Sequence, residues 1–242
     1  MKQGIFTVAS NKNIAANTWE MVLLGDTSGI TAPGQFVNIQ LDGMFLRRPI
    51  SVCHWEEGSL TIVYKAVGRG TEHMTSLGTG AGLDVLTGLG NGYDLTKCGE
   101  KILLIGGGAG VAPMFGLCEA LAKSGKQIKV ILGFNTADEV YYAEKFEKLG
   151  ADTVITTVDG SLGVQGFVTA AMDCDYDYFC TCGPEPMLKA VYAASKTSGQ
   201  MSFEERMGCG FGACVGCTCE TKYGHKRICK DGPVLEKEEI IW

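Results

Sequence analysis

Over the first 95 residues, short runs of alternating apolar and polar or β-branched residues recur between glycine turns: IFTVAS, WEMVLLG, QFVNIQL, PISVCHW, LTIVYKAV and GLDVLTGLG. A period of two predicts strands, and this many short strands with glycine punctuation predicts an antiparallel β-barrel over residues 1–98. From Lys101 the texture changes. A continuous apolar run, KILLIGGGAG, precedes a helical stretch from Ala112 to Ser124, then QIKVILGF, then the helical pattern EVYYAEKFEKLG. Continuous strands alternating with helices predict a parallel sheet with crossover helices. The alternation runs on through DTVITTVDG, DYFCTCG and a last helix from Pro184 to about Ser198, so an α/β domain is expected over 99–199. Residues 200–242 are left as a small third unit with almost no apolar core of its own.

Composition narrows the function classes. The chain has 242 residues, 45% hydrophobic, with formal net charge -6. An acidic balance argues against a nucleic-acid or anionic membrane surface, which demands a basic patch. No run of about eighteen apolar residues is present to span a bilayer. Eleven cysteines behind an opening MKQGIFTVAS, which lacks a basic-then-apolar leader, point to a reducing cytoplasm and away from a disulfide framework. Cys53, Cys98, Cys118, Cys174 and Cys180 sit in apolar or turn contexts and read as small buried hydrophobes. His54, His73 and His225 are scattered without metal or triad spacing and read as structural.

The remaining cysteines carry chemistry. Cys209, Cys214 and Cys217 form a C-x4-C-x2-C array within a glycine-rich stretch, with Cys229 downstream. Four thiolates hold the two irons of a [2Fe-2S] cluster, and glycine lets the loop fold so that its N–H groups face the sulfurs. The fourth cysteine follows much sooner than in a plant-type ferredoxin, so the loop is ferredoxin-like without being a whole ferredoxin. A zinc knot usually closes from two C-x2-4-C knuckles, and the second is missing here. Cys219 is a spare thiol near Cys217. With so little core in 200–242, metal binding is expected to supply that unit's folding energy.

A second motif is Gly106-Gly107-Gly108-Ala109-Gly110, which follows an apolar strand and opens a helix at Ala112-Pro113. Free helix N–H groups and the dipole's positive end suit a pyrophosphate there. The strict G-x-G-x-x-G fails at Val111, so a merely tight strand-to-helix turn is the alternative. The next strand ends at Asp138-Glu139 with no nearby basic residue at its tip. A carboxylate there accepts a ribose hydroxyl and favours NAD over NADP, unless the pair only caps the following helix. A further strand ends at Cys182-Gly183-Pro184, where Cys182 is either a lining residue for a nicotinamide or a buried strand-end cysteine.

Arg48-Pro-Ile-Ser51, Gly70-Thr71, GGGAGVAP, DGSLG at 159 to 163, CGPEPM and the cysteine array occur in one order along the whole chain. Together they resemble the electron-transfer subunit of NAD-dependent (class 1B) dihydroorotate dehydrogenase, a branch of the ferredoxin reductase superfamily. The most specific part is Ser202-Phe-Glu204-Glu-Arg-Met-Gly-Cys209-Gly-Phe-Gly-Ala-Cys214, ending in Cys229-Lys-Asp-Gly-Pro233. The resemblance implies an FAD held in the barrel by Arg48, Pro49, Ile50, Ser51, Val63, Tyr64, Lys65, Gly70 and Thr71. Arg48 offers a permanently charged fork to a phosphate, and Ser51 a hydroxyl to the flavin edge. Many relatives have a tyrosine where this chain has Ile50, so ring stacking is in doubt there.

The resemblance further implies a relay. Dihydroorotate is oxidised at the FMN of a catalytic partner subunit in a heterotetramer of two of each. Electrons then pass singly through the [2Fe-2S] cluster to FAD, which reduces NAD⁺ by hydride transfer. Ser51 and Cys182 are expected near the meeting point of flavin and nicotinamide. Glu204 is either a flavin-tuning carboxylate or an exposed helix-end residue. The implied NAD contacts are Gly107, Gly108, Ala109, Gly110, Asp138, Cys182, Gly183 and Pro184. Two other readings stand beside this one: the small subunit of a ferredoxin:NAD(P) oxidoreductase-type complex, and a non-enzymatic zinc-bearing binding module.

Overall fold

Period-two alternation in the N-terminal third puts every second side chain inward, and the strands it makes close on themselves. The computed structural model describes residues 1–242. Strands β1 (Lys2–Ala15), β2 (Thr18–Leu24), β3 (Phe36–Ile39), β4 (Arg48–Glu56) and β5 (Ser59–Lys65) come first. Helix α1 (Arg69–Thr75) and strand β6 (Gly82–Leu89) follow. The six strands form a closed antiparallel barrel in the order β1-β2-β5-β4-β3-β6. Phe6, Val8, Met21, Leu23, Val37, Ile39, Leu60, Ile62 and Val85 fill it. Burying each such side chain contributes about 1.5–3 kcal/mol before conformational entropy is set against it. Helix α1 was not foreseen, because Arg69–Thr75 is too short to display a helical period.

The α/β part contains β7 (Lys101–Gly107), α2 (Val111–Lys123), β8 (Gln127–Phe134), α3 (Ala143–Lys148), β9 (Asp152–Thr157) and β10 (Val164–Gln165). It continues with β11 (Tyr178–Cys182), α4 (Glu185–Ala194) and β12 (Gly199–Ser202). The tail supplies the hairpin β13 (Thr218–Thr221) and β14 (Gly224–Arg227), helix α5 (Ile228–Asp231) and β15 (Val234–Glu236). The sheet order is β10-β9-β8-β7-β11-β12-β15, parallel except for the last pairing. No helix is long and apolar enough to cross a membrane.

Three details depart from the sequence expectation. The run EVYYAEKFEKLG is not one helix. A single tight turn at Ala137–Glu139 precedes α3, and Tyr142 between them has φ 67°. Both tyrosines are drawn off a helical path by half-buried partners. The Tyr141 hydroxyl donates to the Gly108 carbonyl at 2.9 Å, and the Tyr142 hydroxyl donates to Glu20 on the barrel.

The last helix ends at Ala194 rather than near Ser198. Lys237 Nζ donates to the Ser195 and Thr197 carbonyls at 2.9 and 3.1 Å, which holds that stretch extended.

The third difference concerns the tail. A cut at 199/200 falls inside β12, and β15 pairs antiparallel with β12 through Gln200–Glu236, Met201–Leu235 and Ser202–Val234. Ile228, Leu235 and Ile240 lie in the same core as Leu103, Ile131 and Phe179. The tail therefore shares the core of the parallel sheet, so residues 228–240 have apolar packing and strand pairing available to them besides the metal the sequence points to.

Candidate functional site

The barrel opens toward the sheet in a cavity of about 270 Å³. Strand β4 lines it with Arg48, Pro49, Ile50 and Ser51, strand β5 with Val63, Tyr64 and Lys65, and α1 with Thr71. Gly70 is not on the wall but lies against the Arg48 guanidinium. The guanidinium is held by main-chain carbonyls, Leu46 closely and Arg47 at 3.5 Å, and has no carboxylate partner, so its charge is free for an anion. Tyr64 turns its ring into the barrel, and its hydroxyl donates to Asn11 at 3.0 Å. Its side chain is thus spent on the core rather than on a ligand.

A second cavity, about 550 Å³, lies at the carboxyl ends of the parallel strands. The chain runs from β7 outward to β9, then returns to β11 on the other side of β7. That switch point is where open α/β sheets bind ligands. Gly107, Gly108, Ala109, Gly110 and Pro184 line the cavity. Gly110 is required by packing, since a β-carbon there would run into the Cys182 carbonyl.

Asp138 does not line either cavity. Its carboxylate accepts from the Thr136 hydroxyl instead. Its neighbour Glu139 lines the second cavity instead. It accepts from the Asn135 N–H at 3.2 Å and pairs with Lys65 at 3.2 Å. Burial alone would raise its carboxyl, but these hydrogen bonds and the ammonium hold it below the usual range. Lys65 reaches this point from the barrel, a cross-domain placement that no local pattern encodes.

The two cavities share Lys65, Val67, Ala109, Gly110 and Glu204. Cys182, Gly183 and Ser51 line the first, and Cys182 and Gly183 lie against Gly110 of the shared wall. Burial pushes the Cys182 thiol up to about 12, the Glu204 charge adds to this, and a bond with Ser202 opposes it. Cys182 is therefore a neutral, compact wall residue. Glu204 is exposed and follows β12 in extended coil, not at a helix end.

On the far side of the first cavity lies the cysteine loop. Phe36 and Met207 line the cavity and pack in the same core as Cys217 and Cys229. The four cysteines stand as two pairs. Cys209 N–H donates to Cys214 Sγ at 3.4 Å, and Cys214 N–H returns the bond to Cys209 Sγ at 3.4 Å. Ala213 N–H also reaches Cys209 Sγ at 3.2 Å. In the second pair Cys229 N–H donates to Cys217 Sγ at 3.4 Å. No three acidic, histidine or cysteine side chains converge as one closed ligand set.

Burial would raise Cys209, yet the N–H groups of Cys214, Phe211 and Ala213 bring it down to about 6. Cys229 is pushed up to about 12 by burial and by the neighbouring Cys217. N–H groups aimed at sulfur are the environment a thiolate-bound iron centre needs, and the donor set fits one. Cys219 lies on β13, outside both pairs.

A closed antiparallel barrel, a parallel sheet with a crevice at its switch point, and a cysteine loop behind the barrel cavity define a pyridine-nucleotide flavoprotein reductase carrying its own iron-sulfur segment. The family model for the iron-sulfur cluster binding domain of dihydroorotate dehydrogenase B matches residues 204–241, and that for the oxidoreductase NAD-binding domain matches residues 104–193.

The dihydroorotate dehydrogenase B (NAD(+)) electron transfer subunit of Bacillus pumilus is 43% identical over 99% of this chain and 98% of its own. The subunit of the same name from Fusobacterium nucleatum is 43% identical over 97% and 96%. Among solved structures, a chain of NADH-dependent reduced ferredoxin-NADP oxidoreductase superimposes with a TM-score of 0.88 at 28% identity. It covers 99% of this chain and 90% of its own. Phthalate dioxygenase reductase, at 20% identity over 79% of this chain and 64% of its own, shares the fold with a TM-score of 0.65. The chain belongs to the dihydroorotate dehydrogenase B electron transfer subunit family.

Proposed function

We propose that this chain is the electron-transfer subunit of a cytoplasmic NAD-dependent dihydroorotate dehydrogenase in pyrimidine biosynthesis, working with an FMN-bearing catalytic subunit in a heterotetramer of two of each. A [2Fe-2S] cluster held here would supply one-electron transfer from the partner, and an FAD would supply the exchange between single electrons and the hydride that NAD⁺ takes. The observation that carries the reading is the shared wall of the two cavities at Lys65, Val67, Ala109, Gly110 and Glu204, with Phe36 and Met207 of the first cavity packed in the same core as Cys217 and Cys229.

The residues divide the work by their chemistry. Arg48, free of carboxylates, holds a flavin phosphate, with Gly70 and Thr71 beside it. Pro49, Ile50, Val63 and the β5 backbone at Tyr64 bound the flavin, and Ser51 offers its hydroxyl to the ring edge. Ile50 supplies apolar contact where a tyrosine would stack. Gly107 to Gly110 and the start of α2 present N–H groups and a positive dipole end to the dinucleotide pyrophosphate. Gly183 and Pro184 set the strand end against the nicotinamide, and the neutral Cys182 keeps that contact dry. Glu139, held by Asn135 and Lys65, takes the ribose role assigned on sequence to Asp138. Cys209, Cys214, Cys217 and Cys229 hold the cluster.

The test is an anaerobic visible spectrum of the purified chain with iron, sulfide, zinc and flavin assays on the same sample. Flavin bands with broad cluster absorbance and about two irons per chain are expected. Flavin with zinc and no iron would remove the relay. No dihydroorotate-binding machinery is assigned to this chain, so the isolated subunit should not turn over dihydroorotate with NAD⁺; robust turnover would defeat the two-subunit scheme.

A further inference from the structure

One buried polar side chain lies outside both cavities and between the barrel and the cysteine loop. Asn38, on β3, is 1% exposed. Its Nδ2 donates to the carbonyl oxygen of Cys209 at 3.1 Å, and its Oδ1 is buried without a hydrogen-bond partner. Turning the amide over would set two oxygens against each other, so the orientation is fixed by Cys209. Gly210 has φ 79°, and a β-carbon there would strike the Asn38 amide, so the loop is shaped to lie on this side chain. The backbone of Asn38 is pinned as well. Its carbonyl accepts from Arg47 Nη1 at 3.2 Å, and Arg47 is bound to Asp84 at 2.9 Å.

Burying an amide with one end unsatisfied is unfavourable compared with an apolar side chain of equal size, so packing alone gives no reason for asparagine here. The position supplies one. Asn38 is in register with Pro49 and Phe36 with Ser51, so the strand that touches the first cysteine is paired residue for residue with the strand lining the flavin cavity.

We infer that Asn38 is a positioning residue for the iron-sulfur cluster, tying the backbone of Cys209 to the barrel and thereby fixing the cluster relative to the flavin. The inference rests on the functional reading above. Electron transfer between two centres needs their separation and orientation held constant, and a single hydrogen bond from a rigid strand to the first ligand does so without touching either redox group.

The experiment uses the full chain with FAD and cluster loaded, comparing the parent with Asn38→Leu, which keeps the branched skeleton and removes the bond. Iron, sulfide and FAD are assayed, the reduced cluster is examined by electron paramagnetic resonance, and stopped-flow follows NADH reduction of the flavin and the later one-electron passage to the cluster. Expected are unchanged FAD content and hydride transfer, a shifted resonance spectrum, and passage to the cluster slowed by roughly tenfold. Where the leucine variant loses FAD, Asn38→Ser carries the test, since it shortens the side chain out of reach of Cys209 without adding an apolar group beside Gly210. An unchanged resonance spectrum and unchanged passage in a loaded variant overturn the inference. Absence of iron and sulfide from the parent chain overturns the functional reading itself.

Discussion

Lys65 of the barrel and Glu139 of the parallel-sheet domain pair at 3.2 Å across the line where the two cavities meet. Both side chains are mostly buried, so the pair is less screened than a surface one and leaves a single carboxylate facing the expected ribose. A 2′-phosphate would have to approach that carboxylate. Replacing Glu139 by Gln removes the repulsion and frees the Lys65 ammonium for the phosphate. NADPH binding should tighten relative to NADH by about tenfold, equivalent to about 1.4 kcal/mol. Titration calorimetry of both nucleotides on the flavin-loaded chain measures the ratio; an unchanged ratio would mean that Glu139 does not select the dinucleotide.

A second cross-domain pair holds a histidine whose pKa is raised. His54 Nδ1 on β4 meets Glu119 of α2 at 2.6 Å, and this bond raises the histidine pKa although burial opposes it. A raised folded-state value means that the contribution to stability is complete below the unfolded value of about 6.5 and is lost as pH rises through the higher folded value. The His54 side chain is 38% exposed, so the gain is at most about 1 kcal/mol. Glu119→Gln should therefore lower the unfolding temperature more at pH 6 than at pH 8.5. Equal losses at both pH values would sink this account of the pair.

The tail offers a prediction in which sequence and structure differ. The sequence suggests that metal folds all of residues 200–242, whereas β15 is hydrogen-bonded to β12 and Ile228 and Leu235 are in the sheet's core. Cys214→Ser should bleach the cluster and open the stretch around 204–219 to protease, with FAD retained and the C-terminal strand still protected. Mass spectrometry of limited digests locates the cuts. Early cleavage within 228–236 would show that the metal folds the whole tail after all.

What the sequence made legible, and what it hid, follows one physical division. Alternation announced the barrel strands because burial on one face leaves a period of two, and the apolar run before Gly106 announced β7 because both its faces are covered. The glycine turn and the cysteine array were visible because their residue types serve few other purposes at those spacings. Contacts between distant segments left no such trace. Whether Asp138 or Glu139 faces the cavity depends on Thr136 and Lys65, and only the fold brings Lys65 from β5 to that point. Tyr142 leaves the helical path for a partner 122 residues away, so local periodicity misread it. Asn38 looked like any polar position of a barrel strand until the loop around Cys209 was seen to rest on it.

Cys209 and Cys182 differ in ionisation as well as in role. In the cluster-free protein, N–H groups of the loop bring Cys209 down to about 6 against the effect of its partial burial, whereas burial pushes Cys182 up to about 12. Alkylation requires the thiolate, so at pH 7.5 Cys209 is mostly in the reactive form and Cys182 almost entirely in the unreactive one. Iodoacetamide should label Cys209 well before Cys182, by a factor of on the order of a hundred or more in rate once accessibility is included. Loading the cluster should abolish labelling at Cys209 and leave Cys182 as it was, because only the former sulfur becomes a metal ligand. Peptide mapping after timed quenching reads both sites in one sample. Rapid labelling of Cys182 in the folded chain would contradict its place as a neutral wall residue at the junction, and equal labelling of Cys209 with and without iron would remove it from the ligand set.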